Sequence, residues 1–183
     1  MQTPNLNGGS FARDTYTGVS TSIEIQNSED VTGLERIMLV AQGDLQRHLS
    51  AFLDQTITIE CISTETALRG TGASPTNPIR QDRQVHLKCG SRVLCIATSS
   101  VTLTSPECER LLLDEKFAIG QIFRHLRAYP NFTLLSVSAQ VVSGKRELRR
   151  TYKLETDGIA CEILEVFPDR DMFDKGVAWL TSP

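Results

Sequence analysis

Residues 147–168, ELRRTYKLETDGIACEILEVFP, decide the fold of this chain. Two strand-like runs flank Asp157-Gly158, and Asp-Gly is among the strongest signals for a two-residue β-hairpin turn. The strands of a hairpin are antiparallel, whereas parallel strands need a long crossover between them. This stretch therefore predicts a largely antiparallel sheet rather than a doubly wound parallel one.

The rest of the chain divides into strand-like and helical segments. Strand-like runs cover residues 55–63, 83–89, 93–103 and 131–143, and helical apolar spacing covers residues 34–40, 45–53, 105–115 and 117–130. The fold class is therefore predicted as α+β, a single domain with a largely antiparallel six-stranded sheet flanked by short helices.

The two ends of the chain lack a sustained hydrophobic period. Residues 1–30 are rich in Gly, Ser, Thr and Asn, which predicts a flexible N-terminal tail. The domain should then span residues 31–183, although residues 169–183 show no clear pattern of their own.

Three strands carry one charged side chain on an otherwise apolar face. Alternate residues of a strand share a face, so Glu165 lies between Ile163 and Phe167. By the same rule, Arg83 and Arg150 each interrupt an apolar row. An unpaired buried charge is unfavourable, so these side chains should meet each other or an ionic ligand. The pattern fits either an internal Arg–Glu pair or an enclosed site for an anionic small molecule.

Two predicted helix starts add groups that bind anions. Gly43-Asp44-Leu45 and Ala118-Ile119-Gly120 both precede apolar helical stripes. The first N–H groups of a helix are free and lie at the positive end of its dipole, so they attract negative charge. Most helix starts are simply capped, and capping alone would also explain these two.

Composition narrows the class of protein. The net charge of −3 gives no electrostatic reason to expect nucleic acid or an anionic membrane as a partner, and no segment is long and apolar enough to suggest a membrane span. The five cysteines are odd in number and lack a C-x-x-C pair, which favours reduced thiols in a cytoplasmic protein over disulfides or zinc. No metal-ligand spacing and no nucleotide-binding motif occurs, so neither a metal nor a cofactor is expected.

Several short blocks in fixed order resemble the chorismate lyase family, in its divergent archaeal and actinobacterial branch. The blocks are LERIMLVAQGDLQRHL (34–49), RQVHLKCGSRVLCIATSSVTL (83–103), FAIGQIF (117–123) and LRRTYKLETDGIACEILEVFP (148–168). Members of this family convert chorismate to 4-hydroxybenzoate and pyruvate without cofactor or metal, in an enclosed cavity. The resemblance implies a carbon–oxygen lyase whose partner is the small molecule chorismate.

The resemblance also assigns roles to residues. It implies that Arg83 binds a carboxylate, that Glu165 is the essential glutamate, and that backbone amides near Leu45 and at Ile119-Gly120 hold the aromatic ring. The proteobacterial enzyme has a second arginine where this chain has Thr98. Arg150 is the candidate for the second carboxylate, by its face alone.

Two other functions remain open from the sequence. The same fold serves as an effector-binding domain of transcription regulators, so the chain could be a non-catalytic module for aromatic carboxylates. Such regulators carry a helix-turn-helix ahead of the sensor, and the thirty-odd residues before Leu34 are too few and too polar for one. A degenerate homologue that acts through protein contacts is the third possibility, and the presence of Arg83 and Glu165 argues against it.

Overall fold

The computed structural model describes residues 11–26 and 30–182, and these form an α+β domain. The strands are β1 Ala12–Tyr16, β2 Thr21–Ile25, β3 Thr58–Thr66, β4 Ile79–Cys89, β5 Arg92–Leu103, β6 Asn131–Val142, β7 Lys145–Thr156 and β8 Ile159–Phe167. The helices are α1 Gly33–Leu39, α2 Leu45–Leu53, α3 Pro106–Glu109, α4 Ile119–His125, α5 Asp171–Lys175 and α6 Val177–Thr181. A π-helical segment, Arg110–Asp114, continues α3.

The main sheet has six strands in the order β3-β4-β5-β8-β7-β6, and every neighbouring pair is antiparallel. The expected hairpin joins β7 to β8, and Gly158 has the positive φ of +85° that such a turn requires. The predicted fold class, a mainly antiparallel sheet with short helices, is confirmed at this level.

The sheet has one buried and one open face. Along β8, residues 159, 161, 163, 165 and 167 are buried and the residues between them are not. Along β7, Leu148, Arg150, Tyr152 and Leu154 follow the same rule. Helices α1, α2, α4 and α5 contribute their apolar residues to the core cluster that this buried face forms. A two-layer arrangement with one core results, in which the buried row of strand residues shares a cluster with the helices.

N-cap residues define where α1 and α3 begin. Thr32 caps α1 in a capping box, in which its side chain accepts from the Glu35 N–H and Glu35 accepts in return from the Thr32 N–H. Ser105 caps α3 and Pro106 occupies the first helical position. None of the helices in the described ranges is long and apolar enough to cross a membrane.

The structure differs from the sequence prediction at both ends. Within the predicted tail of residues 1–30, β1 and β2 form a separate two-stranded hairpin, and the rest of that tail lies outside the described residues except 11, 17–20, 26 and 30. The hairpin contacts the domain through Phe11, whose N–H donates to the Leu134 carbonyl at 2.7 Å. At the C-terminus, α5 and α6 have five residues each, too short to show a helical period in the sequence.

Candidate active site

A cavity of about 400 Å³ lies between the buried face of the sheet and the starts of α2 and α4. The sheet supplies the floor and the two helix starts supply the opposite wall. The lining residues come from three parts of the chain: Gly43, Asp44, Leu45, Gln46, Arg47, Ser50, Thr56 and Ile57 around α2; Ala118, Ile119, Gly120, Gln121 and Arg124 of α4; and Ile59, Arg83, Val85, Leu87, Ala97, Ser99, Tyr152, Ile163 and Glu165 of the sheet.

The strand register brings Arg83 and Glu165 onto the same floor. Arg83 lies opposite Ser99, Ser99 lies opposite Ile163, and Glu165 follows two residues later on the same face. Strand spacing and rise per residue then place the Cα atoms of Arg83 and Glu165 about 12 Å apart. That gap leaves room for a small ring between a cation and a carboxylate.

Glu165 is held by two side chains of β7. Arg150 Nε donates to Glu165 Oε2 at 2.7 Å, and the Tyr152 hydroxyl donates to Glu165 Oε1 at 2.8 Å. Arg150 Nη1 also donates to the carbonyls of Leu39 and Ala41, at 2.8 and 2.9 Å. The carboxylate therefore has a fixed position, yet each of its oxygens retains a further lone pair for a ligand.

The phenol of Tyr152 is a neutral donor in this group. Burial, together with the charge of Glu165, raises the pKa of Tyr152 well above its usual value. The Arg150 guanidinium lies 4.3 Å from the centre of the Tyr152 ring, in a cation–π contact. Arg150 Nη2 is buried without a hydrogen-bond partner among the described residues.

Arg83 differs from Arg150 in what surrounds its guanidinium. It is half-buried, and no acidic side chain or hydrogen-bond acceptor in the described residues contacts its guanidinium. Burial lowers the pKa of Arg83, since removing water disfavours the charged form. A cation in this state gains most from an anionic ligand, which would replace the lost hydration.

Two glycines join the helix starts above the floor. A Cβ placed on Gly120 would lie 1.9 Å from the carbonyl oxygen of Gly43, so only glycine allows this approach. Gly43 itself has a positive φ of +88°. The contact holds the start of α2 at Leu45 and the start of α4 at Ile119 side by side over the cavity.

Five of the six site residues expected from the sequence line this cavity: Arg83, Glu165, Leu45, Ile119 and Gly120. Arg150 does not. It is fully buried, and its Nε and Nη1 atoms donate to Glu165 and to two backbone carbonyls, while Nη2 has no partner among the described residues. This position does not suit the role expected for Arg150 as the binder of a second carboxylate.

The sequence analysis missed Tyr152, Arg47 and Arg124 as lining residues. Tyr152 carried a signal, because it shares the face of Arg150 two residues away. Arg47 and Arg124 follow the two helix starts within two turns, but on helices both would pass as ordinary solvent-exposed charges.

The three histidines take no part in the cavity wall. His48 Nδ1 lies 3.3 Å from Asp44 Oδ1, and His125 packs edge-on against Phe117. Among the described residues, no group of three or more His, Cys, Asp or Glu side chains is arranged to hold a metal ion. Burial raises the pKa of the Cys161 thiol to about 12, so this cysteine is an inert core residue.

Comparison with models of protein families gives no match to this chain, and a search of curated proteins gives no significant match either. The resemblance to chorismate lyases thus depends on the residues quoted above and on how the fold arranges them.

Proposed function

We propose that this protein is a cofactor-independent chorismate lyase that converts chorismate to 4-hydroxybenzoate and pyruvate. The observation that carries the proposal is that two residues line the floor of one cavity: Arg83, which has no acidic partner within the described residues, and Glu165, which Arg150 and Tyr152 hold in place. A chorismate lyase-like fold, closure of the cavity around its ligand and a cytoplasmic location belong to the same proposal.

The size and lining of the cavity support a small aromatic acid as ligand. Sites for small molecules usually measure about 300–1,000 Å³ and combine an apolar lining with a few polar groups. At about 400 Å³, this cavity suits a single ring with short substituents. Ile59, Val85 and Ile163 supply apolar walls, and Arg83 supplies the cation that a carboxylate needs.

The proposed reaction is an elimination. The ring loses its C4 proton, the bond between C3 and the ether oxygen breaks, and the electron pair of the C–H bond completes the aromatic ring. The C4 hydroxyl stays on the product, and the departing enolpyruvate takes up a proton on its methylene carbon to become pyruvate.

The residues divide this work by position. Arg83 would hold the ring carboxylate and set the orientation of the substrate. The backbone N–H groups at the starts of α2 and α4 would contact the opposite side of the ring. Glu165 would act on the C4 proton as a carboxylate that Arg150 and Tyr152 keep in place.

The second candidate is a binding module for aromatic carboxylates without turnover. The observation that favours it is that both Glu165 oxygens already accept hydrogen bonds from the protein. A carboxylate in that state could serve only to balance the buried charge of Arg150.

Incubation of purified protein with chorismate in the presence of a chelator separates the two candidates. The lyase should give equal amounts of 4-hydroxybenzoate, identified by chromatography, and pyruvate, measured with lactate dehydrogenase. The Arg83→Ala variant is the matched control, because it removes the cation without breaking an ion pair or hydrogen bond among the described residues. Binding of 4-hydroxybenzoate with no product from chorismate would reject the lyase and support the binding module.

A further inference from the structure

We infer that Arg47 and Arg124 form a second anion-binding point at the rim of the cavity, so that the site selects ligands with two acidic groups. This inference rests on the proposed function in one respect, since it names the substrate class of the same cavity. Arg47 and Arg124 would bind the second carboxylate, the role that the sequence analysis expected of Arg150.

The balance of charge in the cavity wall is the first argument. Three arginines line the cavity, Arg47, Arg83 and Arg124, and none of them has an acidic partner within the described parts of the chain. The two acids of the wall are already engaged: Glu165 pairs with Arg150, and Asp44 lies beside His48. The wall therefore has an excess of positive charge that a ligand can balance.

Many arginines of the domain pair with acids, but Arg80, Arg92 and Arg127 also form no ion pair among the described residues. What distinguishes Arg47, Arg83 and Arg124 is that they line one cavity. Arg69 pairs with Glu109 and Asp114, Arg146 pairs with Asp171 and Asp174, and Arg170 pairs with Glu35. Arginine forms planar, two-pronged contacts with carboxylates wherever it can. At the cavity, Arg47, Arg83 and Arg124 have no such carboxylate among the described residues.

The positions of the arginines give the geometry of the ligand. Arg83 is half-buried on the floor, while Arg47 and Arg124 are exposed. Arg47 is in the first turn of α2 and Arg124 is in the second turn of α4. Gly43 and Gly120 hold the two helix starts in contact, and both arginines line the cavity beneath those starts.

A ligand with one carboxylate at the floor and another directed to the rim would meet a guanidinium at each end. Chorismate has this form, since its ring carboxylate and its enolpyruvyl carboxylate are at separate ends. The product 4-hydroxybenzoate keeps only the ring carboxylate. The rim would thus distinguish substrate from product, and the floor alone would not.

The test compares two unreactive ligands that differ in one acidic group. The dicarboxylate 3-(carboxymethoxy)benzoate and the monocarboxylate 3-methoxybenzoate share the ring and the ether, and neither carries an enolpyruvyl group. Their dissociation constants are measured by titration calorimetry on the wild type, on the Arg47→Gln/Arg124→Gln double variant, and on Arg127→Gln. Arg127 is exposed on the chain that follows α4 and is not part of the cavity wall, so it controls for the loss of a nearby positive charge.

We expect the wild type and Arg127→Gln to bind the dicarboxylate more tightly than the monocarboxylate. The double variant should lose about 10-fold or more in affinity for the dicarboxylate, the usual scale for a charge-assisted hydrogen bond, with the monocarboxylate unchanged within about 2-fold. Equal affinity of the wild type for the two ligands, or an equal loss for both ligands in the double variant, would overturn the inference.

Turnover of chorismate on the same preparations separates this inference from the proposed function. Loss of the dicarboxylate preference in a protein that gives no product supports the rim site and rejects the lyase. Turnover whose KM for chorismate is the same in the wild type and the double variant supports the lyase and rejects the rim site. Both substituted residues are exposed, so the double variant should fold, and its melting temperature checks this.

Discussion

Arg150 and Glu165 lie directly opposite each other on β7 and β8, and a 2.7 Å ion pair joins them in the interior. Both are almost fully buried, at 0% and 5% exposure. The register of the hairpin alone brings them together, because its turn at Asp157-Gly158 fixes which residues face each other. The proposed catalytic carboxylate is thus positioned by the stretch that decides the fold.

Removing one member of this pair should destabilise the protein strongly. Arg150→Met is expected to lower the free energy of unfolding by about 3–5 kcal/mol, because it leaves Glu165 buried without its counter-charge. The Arg150→Met/Glu165→Leu double variant should recover part of this loss, since neither charge remains. Urea unfolding at pH 7 measures both, and a loss below about 1 kcal/mol for the single variant would contradict the buried pair.

Tyr152→Phe is the cleaner test of the role of Glu165, because it removes one hydroxyl and keeps the ring. The free energy of unfolding should fall by about 1.5–3 kcal/mol, the usual contribution of one hydrogen bond to a charged group. Turnover of chorismate should fall about 10-fold or more, since Glu165 loses a contact that orients it. Tyr129→Phe is the matched control, because Tyr129 is 98% exposed. Normal turnover per folded molecule in Tyr152→Phe would show that this hydrogen bond is structural only.

Glu165→Gln should lower turnover by about 10²-fold or more if Glu165 transfers the proton. We also expect Glu165→Gln to be less stable than the wild type, because the buried Arg150 loses its charge partner. Turnover is therefore normalised to folded protein, by measuring melting and kinetics on one preparation. A destabilised variant with unchanged turnover would show that Glu165 has a structural role and does not transfer the proton.

Replacing Arg83 should weaken ligand binding without lowering the stability of the ligand-free protein. Arg83→Ala is expected to weaken binding of 3-methoxybenzoate by about 2–5 kcal/mol, as for one member of a buried charge pair, and Lys should restore little of it. The ligand-free variant should be at least as stable as the wild type, because burial without a partner disfavours the arginine. Arg170→Ala, which breaks a buried pair with Glu35, should be destabilised in the same melting experiment. An Arg83→Ala variant that binds the ligand normally would place Arg83 outside the site.

Gly120→Ala tests the contact between the two helix starts. The added methyl group would meet the Gly43 carbonyl at 1.9 Å, so the helix starts must separate. Both the melting temperature and the affinity for 3-methoxybenzoate should fall. Gly33→Ala is the control, because no atom lies within 4 Å of a Cβ at Gly33. Equal behaviour of the two variants would mean that the contact does not shape the cavity.

The sequence predicted which face of a strand each residue is on better than it predicted which strands are neighbours in the sheet. The alternation along each strand correctly turned Arg83, Arg150 and Glu165 to one buried face. It could not tell which arginine would meet Glu165, because Arg83 is on β4 and the neighbour relation of β5 and β8 is not written in any local pattern. A local pattern, the hairpin turn, could predict only that Arg150 lies opposite Glu165.

The elements that the sequence missed have weak local signals. The β1–β2 hairpin contains the alternation of Ile23 and Ile25, but Gly, Ser and Thr dominate its surroundings. Helices α5 and α6 are held by tertiary contacts such as the pair of Arg146 with Asp171, not by a long apolar stripe. In each case the packing of distant parts decides a structure that the local composition leaves open.

The hydrogen bonds from Arg150 to the carbonyls of Leu39 and Ala41 affect how the presence of this arginine in a related protein can be interpreted. Because Arg150 supports both Glu165 and the chain between α1 and α2, a descendant of the proposed enzyme that lost its activity would still be destabilised by losing either member of the pair. Inheritance of Arg150 and Glu165 would then record common ancestry and stability, not activity. The residue that would report the chemistry is Arg83, because it forms no ion pair or hydrogen bond within the described residues that the fold would lose.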